Sequence, residues 1–182
     1  MTAARDQSLH TYVEALASTA AVPGGGSAAA VAASMGAALV AMVARISARK
    51  AREEHRAALE AVVPELDELA NRLLDLSQDD IDAYRAVIEA RKAGRDGAEL
   101  DRAYERAAEV PLATAAAADR GLTLAVEVSK HAWEMVASDL AAANRLLQAG
   151  LDGALANVAV NLPELKGEPA ARVERRYREL LK

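Results

Sequence analysis

Residues 22–44 read VPGGGSAAAVAASMGAALVAMVA, in which a proline and three glycines precede a long run of small, uncharged side chains. Alanine is the best helix former and is depleted in strands, so this run predicts an α-helix. Ser27 is a natural N-cap residue, and we expect the helix to extend from it to about Arg52. Small residues recur along it at Ala30, Ser34, Ala37 and Ala41. Because they let a neighbouring helix come close, we predict that this helix is buried in a bundle or at a subunit interface.

The same stretch has a second interpretation, since no charged residue occurs between Glu14 and Arg45. A run of about 18 uncharged residues is long enough to suggest a membrane span. Here, however, Pro23 and the glycines interrupt the run, and its second half is mostly Ala, Ser, Gly and Val. We therefore favour a buried helix and expect no membrane partner.

Helical patterns also account for the rest of the chain, and no strand is predicted. The predicted segments are residues 8–18, 53–76, 79–92, 100–110, 111–128, 138–148, 151–162 and 168–181. Pro64, Pro111 and Gly150 are expected to bend, divide or end helices. Short connections are typical of antiparallel neighbours. The sequence thus predicts an all-α fold, an antiparallel helix bundle with a long buried central helix, formed by residues 1–182 as one domain.

Composition excludes several classes of function. The net charge is -5 and no basic stripe stands out, so the electrostatic footprint of a nucleic-acid-binding protein is missing. The chain has no cysteine, which removes disulfides, thiolate metal sites and thiol catalysis. His10, His55 and His131 lack metal-ligand spacing, so no metal site is predicted. No export signal is visible at the N-terminus, and a cytoplasmic location is expected.

The glycine run is the first candidate for function. Three consecutive glycines cost backbone entropy, which indicates a tight turn or the close approach of a ligand to the main chain. We expect the free N–H groups of Ser27, Ala28 and Ala29 to face an anion or a carbonyl oxygen. A plain helix–helix turn is the alternative. Dinucleotide and P-loop motifs are excluded, because no strand precedes the glycines and no Gly-Lys-Ser/Thr follows them.

Asp80 is the candidate acid–base group. At 100° per residue it falls between Tyr84 and Val87, on the arc that carries the apolar side chains, whereas Asp79 and Asp82 fall outside it. A carboxylate aimed at the interior is expensive and should have a displaced pKa, as a general acid or base requires. The alternative is a capping box, in which Ser77 caps a helix and Asp80 closes the box.

Polar residues near the C-terminus supply further candidates. Asn157 and Asn161 are four residues apart on one side of a helix, where they would line a polar pocket, face solvent or cap a terminus. Ser138 and Asp139 look locally like an N-cap followed by a first-turn acid. Lys50 lies in a basic patch that is typical of a solvated helix end, with a binding role as the alternative.

Taken together, several segments resemble the cyclodeaminase/cyclohydrolase family, which comprises the C-terminal domain of formimidoyltransferase-cyclodeaminase and free-standing bacterial relatives. They follow the family's order and cover roughly residues 9–162. These segments are residues 21–27, 35–39, 42–43, 80–84, 110–112 and 138–139, then Gly150, residues 153–154 and 157–158, and Asn161.

The resemblance implies an all-helical homodimer that takes a tetrahydrofolate derivative as substrate, with no tightly bound cofactor. It also implies that Asp80 is the catalytic residue. The substrate-binding residues that it implies are Pro23, Gly24, Gly25, Gly26, Ser27, Ser138, Asp139, Asn157 and Asn161.

The sequence departs from the family pattern in three places. Ala132-Trp133 stands where the family commonly has Gly-Asn, and residues 47–50 read Ser-Ala-Arg-Lys in place of a Thr-x-Gly-Lys-like segment. Gln78 precedes Asp79 and Asp80, so a single acid of the family's common Asp-x-Asp pair is retained.

The predicted reaction is cyclodeamination of 5-formimidoyltetrahydrofolate to 5,10-methenyltetrahydrofolate and ammonia. Hydrolysis of 5,10-methenyltetrahydrofolate is the nearest alternative, since the same pocket would serve it. A folate-binding protein or a dimeric scaffold without catalysis is the other class of function considered.

Overall fold

The structure, a computed structural model, describes residues 4–94 and 97–181. Within these residues the regular structure is helical throughout, which confirms the predicted all-α class. The α-helices are α1 (Leu9–Leu16), α2 (Gly25–Ala48), α3 (Glu53–Lys92), α4 (Ala98–Ser129), α5 (Ala137–Asn161) and α6 (Gly167–Leu180). Short 3₁₀ turns cover Ala4–Asp6, Glu134–Val136 and Leu162–Glu164.

Helices α2 to α5 form an antiparallel bundle. Ser27 of α2 bonds to Ser77 of α3, and Ser34 of α2 bonds to the Ala70 carbonyl of α3. The partners come in reverse order along the two helices, so α2 and α3 run in opposite directions. Asn161 at the end of α5 likewise bonds to the Ala107 carbonyl early in α4. Consecutive helices that are joined by short connections pack antiparallel to each other.

The helices are longer than the sequence patterns predicted. Pro64 and Pro111 both lie inside continuous helices, of 40 and 32 residues, and Gly150 lies inside α5. The expected breaks at these positions were therefore wrong. A proline removes one backbone hydrogen bond, whereas burial of apolar side chains along the whole length of a packed helix stabilises it by much more.

The core is assembled from small residues that let helix backbones touch. A Cβ atom added to Gly150 of α5 would lie 2.6 Å from the Ala33 Cβ and 2.8 Å from the Ala29 carbonyl oxygen of α2. A Cβ atom added to Gly36 of α2 would likewise lie 2.9 Å from the Ala143 carbonyl oxygen of α5. The predicted small-residue contacts of α2 are also present, since Ala30, Ser34, Ala37 and Ala41 are all buried.

We expect Gly150→Ala to destabilise the fold by about 1–3 kcal/mol, although alanine is the better helix former. The added methyl group meets backbone atoms of α2, which cannot rotate away, so two helices must separate. Urea unfolding followed by circular dichroism measures the change. Ala149→Gly, at an exposed neighbouring position, is the matched control and should cost about 1 kcal/mol through helix propensity alone. A stabilised Gly150→Ala variant would contradict this packing.

One side of helix α2 is partly exposed in the single chain, and we call it the open stripe. Val31, Leu39 and Met42 are partly exposed and Met35 is 43% exposed, while the opposite side of the helix is buried. Among the described residues α2 is the one helix that is long and apolar enough to cross a membrane, yet 61% of its most apolar window is buried in the bundle. This burial is typical of a core helix and does not indicate a membrane protein.

Candidate functional site

A cavity of about 180 Å³ opens where α2 begins. The loop before α2 forms one wall, and single turns of α3, α4 and α5 form the others. Its lining residues are Ala21, Val22, Gly24, Gly25, Gly26, Asp80, Ala83, Tyr84, Ala107, Asn157 and Asn161. The antiparallel bundle thus collects residues from four distant segments of the sequence at one end of the molecule.

The start of α2 supplies free backbone donors to this cavity. Gly24 is the N-cap residue and offers no side-chain cap, and the first backbone bond of the helix runs from the Ala28 N–H to the Gly24 carbonyl. The N–H groups without a helical partner are therefore those of residues 24–27. Among them, the Ser27 N–H donates to the Asp80 carboxyl. The prediction that Ser27 caps the helix, and that Ala28 and Ala29 present free N–H groups, was wrong because the N-cap residue is Gly24, three residues earlier.

Asp80 lies directly against the glycines. A Cβ atom added to Gly26 would stand 2.2 Å from Asp80 Oδ1 and 2.7 Å from its Cγ, so the carboxylate occupies the space that a side chain would need. Burial raises the pKa of the Asp80 carboxyl above its usual value, and the backbone N–H of Ser27 opposes that rise. The positive end of the α2 dipole acts in the same direction as this N–H. The site therefore holds a carboxyl group whose proton is more firmly held than that of an exposed aspartate.

The two neighbouring acids point away from the cavity, as the rotation of 100° per residue along a helix predicted. Asp79 is placed 3.4 Å from Arg106 and 3.7 Å from Arg72, and Asp82 accepts a hydrogen bond from Gln78. Neither acid lines the cavity. Helix α3 is continuous through Ser77, so the capping-box alternative is wrong.

Asn157 and Asn161 form the wall opposite Asp80. The Asn157 amide donates to the Gly153 carbonyl at 3.2 Å, and the Asn161 amide donates to the carbonyls of Ala107 and Asn157. These bonds fix the orientation of both side chains. Within the described part of the chain their Oδ1 atoms carry no hydrogen bond, which leaves two acceptors for a ligand.

Comparison with known proteins assigns this arrangement to a family. The sequence profile named formiminotransferase-cyclodeaminase matches residues 8–179, nearly the whole chain. The chain belongs to the formiminotransferase-cyclodeaminase family. The resemblance inferred from the ordered segments is thereby confirmed.

Two curated relatives illustrate the range of this family. A methenyltetrahydrofolate cyclohydrolase of Methylorubrum extorquens is 35% identical, over 97% of this chain and 88% of its own length. The formimidoyltransferase-cyclodeaminase of Sus scrofa is 31% identical over 95% of this chain. This chain covers only 34% of the length of the Sus scrofa protein.

A solved structure supports the same assignment. The crystal structure of formiminotetrahydrofolate cyclodeaminase from Thermotoga maritima superimposes with a TM-score of 0.90 at 27% identity. The match covers 97% of this chain and 89% of that one. The bundle described above is therefore the fold of this family.

The single chain does not bring all the predicted site residues of this family member together. Lys50 follows the C-terminal end of α2, whereas the cavity lies at its N-terminal end, about 36 Å away along 24 residues. Ser138 and Asp139 stand in the first turn of α5, whereas the two asparagines stand in its last turns. Pro23 faces a neighbouring groove beside α1. These residues remain predictions for the site.

Two of the three departures from the family pattern meet at that far end. Lys50 Nζ lies 5.4 Å from the centre of the Trp133 ring, and the Trp133 backbone N–H donates to Ser47 Oγ at 2.9 Å. The two replaced segments, residues 47–50 and 132–133, therefore contact each other. The contact consists of a cation–π interaction and a hydrogen bond.

Sequence reasoning missed two groups of residues around the cavity. Tyr84 was expected on the buried arc, but it is 43% exposed at the mouth of the cavity. Tyr12 and Ser77 lie behind Asp80 and bond to Ser27, which is fully buried and does not line the cavity. The helical position of Ser77, three residues before Asp80, is the signal that could have identified it.

Proposed function

We propose that this chain catalyses cyclodeamination of 5-formimidoyltetrahydrofolate to 5,10-methenyltetrahydrofolate, with release of ammonia. The observation that carries the proposal is the Asp80 carboxyl, held against the first turn of α2 with a raised pKa inside a cavity lined by two oriented amides. Family membership supplies the substrate class, because relatives of this chain are named for reactions of formimidoyl- and methenyltetrahydrofolate.

The reaction needs one proton moved between two nitrogens. N10 attacks the carbon of the protonated formimidoyl group, which forms the N10–C bond and leaves N10 with an extra proton. Asp80 takes this proton from N10 and delivers it to the amino group on the same carbon. The C–N bond then breaks, ammonia leaves, and the remaining positive charge is shared by N5 and N10. A carboxyl group whose pKa is raised above its usual value by burial is suited to both halves of this transfer.

The rest of the cavity orients the substrate. The free N–H groups of Gly25 and Gly26 suit a carbonyl oxygen of the pterin ring, and the Oδ1 atoms of Asn157 and Asn161 suit its N–H groups. Drug-sized ligands occupy pockets of about 300–1,000 Å³, so a cavity of 180 Å³ holds one end of a folate. The folate is a substrate here, and the remainder of the molecule lies outside the cavity.

Hydrolysis of 5,10-methenyltetrahydrofolate is the second candidate function. The Methylorubrum extorquens relative, 35% identical over 97% of this chain, is named for it. Water would replace N10 as the group that gives up a proton, and Asp80 would accept that proton. The same cavity and the same acid therefore serve either reaction.

The deciding experiment presents the purified protein with each reduced folate in turn. We expect ammonia release and appearance of the methenyl chromophore from 5-formimidoyltetrahydrofolate. Loss of that chromophore from 5,10-methenyltetrahydrofolate, without ammonia release from the formimidoyl compound, would establish the cyclohydrolase instead. A Tm that is raised by tetrahydrofolate, without turnover of either compound, would indicate a protein that binds folate but does not catalyse either reaction.

We also propose that the chain works as a homodimer that pairs along the open stripe of α2. The stripe is apolar and runs through Val31, Met35 and Met42, and a second copy has the same surface to cover it. An antiparallel pair about a two-fold axis near Met35 would place the far end of one copy beside the cavity of the other. That arrangement would bring Ser138 and Asp139 to the site that family resemblance predicts for them. It would also give Lys50 the binding role that its basic patch left as an alternative.

A charge placed in the stripe tests this dimer. We expect the wild-type protein to have twice the mass of one chain in light scattering, and Met35→Glu to be monomeric with little turnover. Val126→Glu, which replaces an exposed apolar residue on α4 away from the stripe, is the control for charge alone. A monomeric wild-type protein with full activity would contradict the proposal.

A further inference from the structure

Three buried hydroxyl groups bond to one another behind the cavity, and we name them the hydroxyl cluster. The Tyr12 hydroxyl lies 2.8 Å from Ser27 Oγ, and Ser27 Oγ lies 2.7 Å from Ser77 Oγ. Ser27 and Ser77 are fully buried, and Tyr12 is the buried residue of α1. The cluster thus joins α1, α2 and α3 at a single point.

Packing alone does not explain these hydroxyls. The neighbouring buried positions of α2 are alanines, among them Ala29, Ala30 and Ala33, and alanine would also fit at position 27. Burying hydroxyls is costly unless every one is bonded. The other buried serines of α2 each bond a single backbone group, Ser34 to the Ala70 carbonyl and Ser47 to the Trp133 N–H.

The cluster is connected to Asp80 on both sides. Ser27 contributes its backbone N–H to the Asp80 carboxyl, and its preceding residue, Gly26, touches that carboxyl. Ser77 stands three residues before Asp80 on α3, so the two side chains share one side of the helix. The hydrogen bond between the Ser27 and Ser77 hydroxyls therefore fixes the distance between the Ser27 N–H and the Asp80 carboxyl.

We propose that the hydroxyl cluster of Tyr12, Ser27 and Ser77 is the positioning device of Asp80. It touches no substrate, and it acts by holding the first turn of α2 against α3 so that the Ser27 N–H meets the Asp80 carboxyl. The inference rests on the proposed function, in which Asp80 is the acid–base group.

The other groups facing Asp80 do not take over this role. Helix α5 presents the neutral Asn157 and Asn161, and α4 presents Ala107. Tyr84 of α3 is exposed at the cavity mouth, and Asp79 is paired with Arg72 and Arg106. Loss of the contact with the Ser27 N–H should therefore change the pKa of the Asp80 carboxyl.

The experiment compares Ser27→Ala, Ser77→Ala and Tyr12→Phe with Ser34→Ala. Ser34→Ala removes a buried hydroxyl from the same helix away from Asp80, and so controls for loss of stability. Two quantities are read for every variant: kcat and KM on the folate substrate, and the carbon-13 NMR titration of the Asp80 carboxyl in the free protein.

We expect Ser27→Ala and Ser77→Ala to lower kcat about tenfold, the equivalent of one hydrogen bond, with KM changed by less than about twofold. The Asp80 titration and the acidic limb of the pH profile should both move to higher pH, because the N–H that lowers the pKa is displaced. Tyr12→Phe should show the same changes to a smaller degree, since one of the two bonds remains. Ser34→Ala should lower Tm and leave kcat and the titration unchanged.

An Asp80 titration that is the same in Ser27→Ala, Ser77→Ala and Ser34→Ala would overturn the inference, even if kcat fell. If Ser27→Ala does not fold, Ser77→Ala and Tyr12→Phe decide the question by the same readings. A wild-type protein that converts neither folate would refute the proposed function. In that case the titration still tests positioning, because it needs no substrate.

Discussion

Gly26→Ala is expected to lower kcat/KM at least about a hundredfold while the protein remains folded. The new methyl group would stand 2.2 Å from Asp80 Oδ1, closer than any van der Waals contact allows. The carboxyl lies at the end of a side chain that can rotate, so it moves away and the helices stay in place. A shift of about 1 Å in a reacting group costs on the order of a hundredfold in rate.

Gly25→Ala is the matched control for this substitution. At that position the added Cβ lies 3.6 Å from Asn157 Nδ2, an ordinary contact that leaves Asp80 in place, so kcat should fall by less than about threefold. KM should rise, because Gly25 lines the cavity. Steady-state kinetics on 5-formimidoyltetrahydrofolate and a Tm for each variant make the comparison. Equal rates for the two alanine variants would show that Asp80 is not held where the structure places it.

Asp80→Asn is expected to abolish turnover, by about 10²–10⁴-fold or more, because the amide cannot carry the proton between N10 and the leaving nitrogen. The same variant should be more stable than the wild type at pH 7–8. Burial raises the pKa of Asp80, so the folded state disfavours the carboxylate that is present at that pH. Asparagine has nearly the same shape, keeps an oxygen for the Ser27 N–H and carries no charge.

The sign of the pH dependence distinguishes this explanation from simple repacking. A group whose pKa is raised on folding contributes stability below its unfolded pKa and loses it as pH rises through the folded pKa. The Tm advantage of Asp80→Asn should therefore be small near pH 4 and should grow as pH rises to 8. Differential scanning calorimetry across this range makes the measurement. Asp82→Asn, on the exposed side of α3, should show no such trend, and an equal trend in both would refute the argument.

The local sequence pattern was sufficient to predict the fold class and the direction in which the Asp80 side chain points. Alanine content and the spacing of small residues predicted the buried helix, because helix propensity and close packing both depend on the side chains themselves. The 100° rotation per residue placed Asp80 toward the interior and Asp79 and Asp82 away from it, and the structure agrees. These inferences needed only the geometry of a single helix.

Features that depend on contacts between helices could not be predicted from the local sequence pattern. Pro64, Pro111 and Gly150 looked like helix breaks, but packing along α3, α4 and α5 outweighs their local cost. Ser27 looked like a cap, and the structure uses it as a buried bond partner of Tyr12 and Ser77, 15 and 50 residues away. Nothing in the local sequence indicates which distant hydroxyls will meet.

The close approach of α2 and α5 also bears on how relatives of this protein should be compared. Gly36 and Gly150 admit no side chain because a neighbouring backbone already fills the space, whatever reaction the protein performs. Gly26 is different, since the atom that excludes a side chain there belongs to Asp80. A homologue that has lost its chemistry should therefore keep the first two glycines and be free to vary the third together with the acid.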